Sequence, residues 1–345
     1  MTKPGLTLAL LATLLAVLVV ALGAYTRLSH AGLGCPDWPG CYGFISVPMS
    51  EHSQNLAAAR FPDAPVEVAK GWFEMIHRYF AGALGLLILA LAVHALRRRK
   101  QPGQPLKLPL LLLALVVLQA AFGMWTVTLK LWPQVVTAHL LGGFATLALL
   151  FLLSLRLAHL TPLATPLPAG FRQLAGLALL LVIGQITLGG WVSSNYAAVA
   201  CVDMPTCHGQ WWPPMDFANG FHLSQHIGPN YLGGQLDSEA RTAIHFSHRL
   251  GAGVLSSVLL LLAWRLKRSG QGRLALLLVL ALALQVSLGI SNVLLHLPLL
   301  VAVAHNLGGA GLLLTLLLVN YRVHTAPRAL PAAVQAHSSL ASPAQ

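Results

Sequence analysis

Eight stretches of this sequence, near residues 6–26, 73–96, 107–129, 135–156, 173–194, 242–264, 273–294 and 299–321, are apolar over about the 20 residues that a helix rising ~1.5 Å per residue needs to cross a bilayer. With 56% hydrophobic and only 9% charged residues, and a mean hydropathy of +0.71, the chain is too apolar for an ordinary soluble protein. The reading is an all-α polytopic membrane protein with eight transmembrane helices.

A formal charge of +12 raises the question of nucleic acid, but the cations sit in short tracts beside the apolar runs. Arg97-Arg98-Arg99-Lys100 follows the second run, Arg156 ends the fourth, Arg265, Lys267, Arg268 and Arg273 separate the sixth and seventh, and Arg322 follows the eighth. All lie on one face of an eight-span topology. By the positive-inside rule both termini are cytoplasmic, in the plasma (inner) membrane, and nucleic acid is not the partner. The first run, preceded by Lys3, has the look of a signal peptide, but no small-residue cleavage site follows it and it matches an internal span, so it is expected to be retained. The loops at 28–72 and 195–240, which hold all four cysteines, then face the periplasm or the exterior, where disulfides can form.

The chain repeats itself. Cys35 and Cys41 recur at Cys201 and Cys207, Gly23 at Gly189, Gln119 at Gln285, Gly123 at Gly289, His139 at His305, Gly142-Gly143 at Gly308-Gly309 and Arg156 at Arg322, each 166 residues on. His77-Arg78 matches His248-Arg249 at a slightly longer shift, which a loop difference explains. A duplicated unit of four spans inserts twice with one orientation, so the expectation is two tandem four-helix bundles, 1–165 and 166–324, related by a pseudo-two-fold axis along the membrane normal. A short Pro-rich link lies near 159–170, and a disordered tail is expected over 325–345.

His77, His139, His248 and His305 fall on the even-numbered spans, and each precedes a basic boundary residue by 17 to 20 positions. At the helical rise, 17 residues is about 26 Å, so the four imidazoles share one layer near the outer edge of the hydrocarbon. A single intramembrane histidine is often a hydrogen-bonded packing residue; four in register, two per copy, point to ligation. Imidazole pairs from facing helices suit bis-histidine heme, with Gly82, Gly142-Gly143, Gly253 and Gly308-Gly309 making room for a flat macrocycle. Such glycines also mark plain helix packing. Zinc is the alternative, but two histidines without a thiolate leave its tetrahedral shell short. Arg78 and Arg249, directly after two of the histidines, are candidate propionate contacts, with interfacial snorkelling as the alternative.

The copies differ at one telling position. Glu74 precedes His77 by three residues, on one helical face, where the second copy has His245 before His248. An acid beside a metal ligand is a candidate for charge stabilisation or proton transfer; the alternative is an exposed interfacial glutamate near Lys70.

The segments "GAYTRLSHAGLGCPDWPGCYG" (23–43), "EMIHRYFAG" (74–82), "TAHLLGG" (137–143), "HFSHRLGAG" (245–253) and "AHNLGG" (304–309) together resemble the heme A synthase family, across all eight spans. The resemblance implies oxidation of the C8 methyl group of heme O to the formyl group of heme A by two successive hydroxylations with water-derived oxygen, in support of cytochrome oxidase assembly. It implies His77 and His139 as ligands of the substrate heme O, Glu74 as the catalytic carboxylate, and His248 and His305 as ligands of a resident heme B. It also implies an electron acceptor that the sequence does not identify, and suggests a heme O synthase and oxidase assembly factors as partners beside the membrane lipid. The competing reading is a diheme b-type electron carrier without chemistry of its own, for which the Glu74/His245 difference has no use. A transporter leaves the histidine layer unexplained.

Cys35–Cys41 and Cys201–Cys207 each span six positions, with Pro36, Pro39 and Gly40 turning the first loop, a length a disulfide closes readily. The alternatives are a structural staple over a heme site, a redox-active thiol pair or, for the first pair, a transient substrate anchor; presence over both copies favours a cap. Family members exist that lack one or both pairs, so a role common to the family cannot require them.

Overall fold

A computed structural model describes residues 4–160, 163 and 166–327. Among these residues there are ten helices: α1 (Pro4–Leu28), α2 (Glu51–Arg60), α3 (Val68–Arg97), α4 (Lys107–Thr128), α5 (Pro133–Leu157), α6 (Phe171–Ser194), α7 (Phe217–Gly220), α8 (Ser238–Arg268), α9 (Gly272–Leu294) and α10 (Leu299–Thr325). All but α2 and α7 are long and apolar enough to cross a membrane, so the eight spans are present and the fold is all-α. Helices are what hydrocarbon demands, because every backbone N–H and C=O must be satisfied within the segment. The expected tail over 325–345 begins on the last residue of α10 and otherwise falls almost wholly outside the described residues, as does part of the Pro-rich link.

Two helices exceed the spans read from hydropathy. The α3 and α8 helices run for 30 and 31 residues, about 45 Å at ~1.5 Å per residue, well beyond a hydrocarbon core of about 30 Å. The extra residues of α8 lie at both ends, and those of α3 mostly at the cysteine-loop end. There Val68 and Trp72 of α3 pack on a small apolar cluster of Cys35, Cys41, Tyr42, Val47 and Met75. The polar α2, invisible to hydropathy, forms because Ser50 and Ser53 cap it reciprocally.

The packing closes two rings. Helix α1 packs on α3 and α5, and α4 on α3 and α5; likewise α6 packs on α8 and α10, and α9 on α8 and α10. Between the rings, α1 meets α10, α5 meets α6, and α5 meets α10. The backbone repeats as well: Lys130-Leu131 and His296-Leu297 turn α4 into α5 and α9 into α10 with the same pair of positive φ angles (49° and 61°, 57° and 61°). Such left-handed non-glycine residues cost about 1 kcal/mol or more each. In both turns they let the second residue donate to the helix that has just ended, Leu131 to the Thr126 carbonyl and Leu297 to the Asn292 carbonyl, each at 2.8 Å.

The dense apolar core lies at the end away from the cysteine loops. Ala9, Ala12 and Ala16 of α1, Leu147, Leu150 and Leu153 of α5, Leu259 and Leu262 of α8, and Leu316 and Val319 of α10 are essentially inaccessible there. Small alanines on α1 bring its backbone close to its neighbours, which is how helices associate where no hydrophobic force favours them. At equivalent positions Ser154 contacts Thr13 at 3.3 Å and Asn320 donates to the Ala175 carbonyl at 2.9 Å, tying the last helix of each ring to the first. Three further contacts join residues 166 positions apart: Arg27 with Ser193, His30 with Tyr196, and Leu155 with Tyr321.

Candidate functional site

Above the dense core the helices are spaced by glycine, and there the histidines sit. His139 and His305 each follow the first residue of α5 and α10 by six positions, while His77 and His248 follow the starts of the extended α3 and α8 by nine and ten. Each imidazole lies against a glycine of a neighbouring helix. A Cβ added to Gly23 would stand 3.0 Å from Cε1 of His77, and the corresponding separations are 3.4 Å for Gly123 and His139, 3.2 Å for Gly189 and His248, and 3.0 Å for Gly289 and His305. These four glycines, noticed in the sequence only as marks of the repeat, are the ones that make room for the rings. The glycines read as making room for a flat macrocycle are a different set: a Cβ on Gly82, Gly143 or Gly253 would meet nothing within 4 Å, and Gly142 and Gly308 face Gln119 and Gln285.

The imidazoles work in pairs. His77 interacts electrostatically with His139, and His248 with His305, so each ring of helices brings its two histidines together. His248 and His305 line a cavity with about 770 Å³ of space not filled by atoms, part of it open, whose other walls include Gln185, Gln285, Gly189 and Ser193. The Nδ1 atoms of His77, His139 and His305 are buried and lack a hydrogen-bond partner. Orphaned imidazole nitrogens in an apolar, glycine-lined slot fit a flat group that takes nitrogen ligands. Among the described residues no three His, Cys, Asp or Glu side chains converge in a metal-holding group, which is what zinc would need.

The surroundings of the two histidine pairs differ. In the second, the Gln185 amide nitrogen lies 3.0 Å from Nδ1 of His248 and donates to the His248 carbonyl at 2.8 Å. The position 166 residues earlier is Val19, with no polar side chain.

Glu74 is 5% exposed, so the alternative of an exposed interfacial glutamate is wrong; Lys70 instead pairs with Glu67 at 2.8 Å. The Glu74 carboxylate accepts from Arg78 through one oxygen at 2.5 Å and from the Cys35 N–H through the other at 3.0 Å. In the second half, Nδ1 of the buried His245 lies 3.4 Å from the Cys201 N–H. Both positions therefore latch a cysteine loop onto a histidine-bearing helix.

Arg78 and Arg249 belong to the same latches. Arg78 donates to the Pro39 and Gly40 carbonyls as well as to Glu74, and Arg249 donates to the carbonyls of Cys201, Asp203 and Thr206, each at 2.9 Å. The Cys35–Cys41 and Cys201–Cys207 disulfides are both formed, and all four cysteines are at most 1% exposed. Inside each loop an aspartate not singled out in the sequence turns the chain: Asp37 accepts from the Tyr42 and Gly43 N–H groups, Asp203 from those of His208 and Gly209. The Thr206 hydroxyl, followed by those N–H groups, holds the Asp203 carboxyl down to about 2. The two aspartates stand at the 166-residue shift, which was the available signal. The loop backbone meets α3 so closely that a Cβ on Gly34 would fall 2.5 Å from the Lys70 carbonyl oxygen.

The second outer loop also reaches across the rings. Its Gln225 and Leu223 carbonyls accept from Trp132 and Gln134, and its Tyr231 N–H donates to the Lys130 carbonyl. His222 and His226 stay in this loop, where His222 contacts Ser224 at 2.9 Å, far in the chain from the ligand layer.

The sequence model of the COX15-CtaA family, described as cytochrome oxidase assembly protein, matches residues 6–317. A curated heme A synthase of Shewanella oneidensis is 53% identical over 307 residues, covering 88% of this chain and 92% of that protein. Heme A synthases of Mesorhizobium japonicum and Erythrobacter litoralis are 30% and 28% identical over 311 and 333 residues, covering 83% and 90% of this chain and 81% and 95% of theirs. A match over nearly all of the chain, with the paired histidines and both cysteine loops inside it, means that this chain belongs to the COX15-CtaA family of cytochrome oxidase assembly proteins.

Proposed function

We propose that this protein is a heme A synthase, a multi-pass membrane oxidoreductase that converts heme O to heme A for cytochrome oxidase. Heme O is the substrate, and its C8 methyl group becomes a formyl group. Each of two hydroxylations takes up one water, whose oxygen becomes the hydroxyl, and releases two electrons and two protons, and the resulting gem-diol loses water. The observation that carries this reading, beyond the family, is the unequal pair of pockets: a buried carboxylate stands one turn before His77, and an imidazole stands in the same place before His248.

The first ring, about residues 1–165, would hold heme O between His77 and His139. The second, 166–324, would hold heme B between His248 and His305, where it supplies electron transfer away from the first pocket to an acceptor yet to be identified. Glu74 is oriented before any substrate arrives, because Arg78 and the Cys35 N–H each occupy one of its oxygens. Each oxygen keeps a further lone-pair site. Withdrawing electrons from a methyl on the porphyrin edge leaves positive charge on carbon, and a fixed carboxylate in a site shielded from water stabilises that charge without reorganising. The cysteine loops, latched to α3 and α8 through Glu74, Arg78 and Arg249, would roof both pockets and keep water supply to the first limited. Their placement toward the periplasm, with both termini cytoplasmic in the inner membrane, follows the positive-inside rule. The contacts between residues 166 positions apart support a pseudo-two-fold axis between the rings, since a residue meets its own counterpart only at such an axis.

The test is expression of the full chain together with a heme O synthase, followed by extraction and mass analysis of the hemes. Formyl or hydroxymethyl heme is the expected product. A folded protein carrying only heme B and yielding neither would leave the diheme carrier instead.

A further inference from the structure

Among the described residues, one cation at the junction of the rings has no carboxylate within 4.0 Å. Arg27 lies on α1 one turn beyond Gly23, the glycine that faces His77. Its guanidinium leaves its own ring of helices, crosses to α6 and donates through Nη2 to the Ser193 carbonyl at 2.6 Å. The guanidinium carbon lies 4.1 Å from the ring centroid of Tyr196, which fixes the plane of the group. Its Nε is buried without a hydrogen-bond partner. The ion pairs Lys70–Glu67 and Arg78–Glu74 leave Arg27 without a carboxylate within 4.0 Å among the described residues.

A guanidinium whose Nε is buried and unused is costly unless an anion completes it. Where it reaches decides which anion. Ser193 is a wall residue of the cavity that holds His248 and His305, one turn beyond Gly189, against which the His248 ring lies. Arg249, the cation next to that histidine in sequence, already donates to three carbonyls of the cysteine loop. A tetrapyrrole ligated at the histidine layer has its acidic side chains at one edge, and a carboxylate at the Ser193 wall would meet the planar fork that guanidinium offers to carboxylates.

We propose that Arg27, contributed by the first ring, binds a propionate carboxylate of the tetrapyrrole in the second ring's pocket. Arg27 is thus a positioning residue that ties the occupancy of one pocket to the helix, α1, that lines the other. This rests on the heme reading of the His248–His305 pocket.

The test compares hemin with hemin dimethyl ester, whose propionates carry no charge, as ligands of the full chain made under heme limitation. A His77→Ala background leaves the second pocket as the site with two imidazoles. Hemin should bind about tenfold more tightly than its ester, the scale of a charge-assisted hydrogen bond, and Arg27→Gln should abolish that preference while Arg27→Lys keeps part of it. The midpoint potential of the low-spin heme should move to more negative values in Arg27→Gln, which a purely structural role would not cause. An equal preference in the parent and Arg27→Gln, as expected if Arg27 serves a lipid phosphate, overturns the proposal and leaves the heme reading standing. Lack of any hemin–ester preference in the parent overturns it without recourse to a variant. Failure of the parent to bind either compound while its helix content is intact overturns both readings.

Discussion

Arg27 on α1 donates to the carbonyl of Ser193 on α6 at 2.6 Å, and Ser193 stands 166 residues on, in the place that Arg27 itself holds in the first copy. The two copies thus meet at homologous positions carrying different residues. That is the general pattern of this protein: one backbone used twice, with unlike side chains at the positions that break the repeat.

Glu74 is the first of these. Glu74→Gln keeps an acceptor for the Cys35 N–H but removes the charge, so heme binding is expected to persist while conversion of heme O falls by about 10²–10³-fold, the scale of losing one preorganised electrostatic group. Extracted-heme mass analysis beside the optical spectrum reads both quantities. Glu74→Ala also strands Arg78 and is expected to cost about 3–5 kcal/mol of stability, seen as a lower melting temperature. Full conversion by Glu74→Gln would remove the charge-stabilisation role.

The histidine pairs should separate by pocket. His248→Ala or His305→Ala is expected to abolish the low-spin heme B spectrum, whereas His77→Ala or His139→Ala should leave that spectrum and lose conversion. Loss of the same spectral component from all four variants would contradict two independent pockets.

The glycines facing the imidazoles should be sensitive to a single methyl group. Gly189→Ala places Cβ 3.2 Å from Cε1 of His248, and Gly23→Ala places it 3.0 Å from Cε1 of His77, so each ring must shift. Heme retention is expected to fall about tenfold in the pocket affected, as a misplaced ligand costs ~1.4 kcal/mol or more. Gly176→Ala, where Cβ meets nothing within 4 Å, should be neutral or slightly stabilising. Equal effects at all three positions would count against the role of the ring contacts.

Acid should loosen the second cysteine loop before the helices. Asp203 is held at about 2 against an ordinary 3.8, so its ionised form stabilises the fold above the unfolded value, and that contribution is lost as pH falls through the folded one. Fluorescence of the exposed Trp211 and Trp212 is expected to change between about pH 4 and pH 2, and Asp203→Asn should remove that transition. An unchanged acid profile in Asp203→Asn would show that another group controls the loop.

Opening one disulfide should be a matter of stability more than of chemistry. For a loop with its cysteines six residues apart, the chain-entropy relation gives about 2 kcal/mol. The Cys201→Ser/Cys207→Ser double variant is expected to melt at lower temperature yet retain conversion at permissive temperature. Complete loss of conversion from a protein that still binds heme would indicate redox chemistry in the loop.

Hydropathy and spacing made the spans and the paired histidines legible, because crossing a bilayer takes a stretch of apolar residues in which an imidazole stands out. Glu74 was visible as an asymmetry with His245, but its burial was not, since lysines and glutamates near it in sequence suggest a solvated rim until the loop is seen folded over it. Gly23 and Gly189 carried no signal beyond the repeat, because what a glycine makes room for lies on another helix. Nothing in the order of residues singles out Arg27, because its reach into the other ring depends on the α1, α6 and α10 contacts.

The sequence by itself determined the all-helical membrane fold, the duplication and the pairing of two histidines per copy, since periodicity, length and residue chemistry are properties of the chain read in order. Only the tertiary structure decided which glycines face the imidazoles, that Glu74 and the two arginines hold the cysteine loops, and that a cation of one ring donates to a backbone carbonyl of the other. Those relations join residues tens to more than a hundred positions apart, and their distances are set by how helices pack rather than by the order in which they are connected.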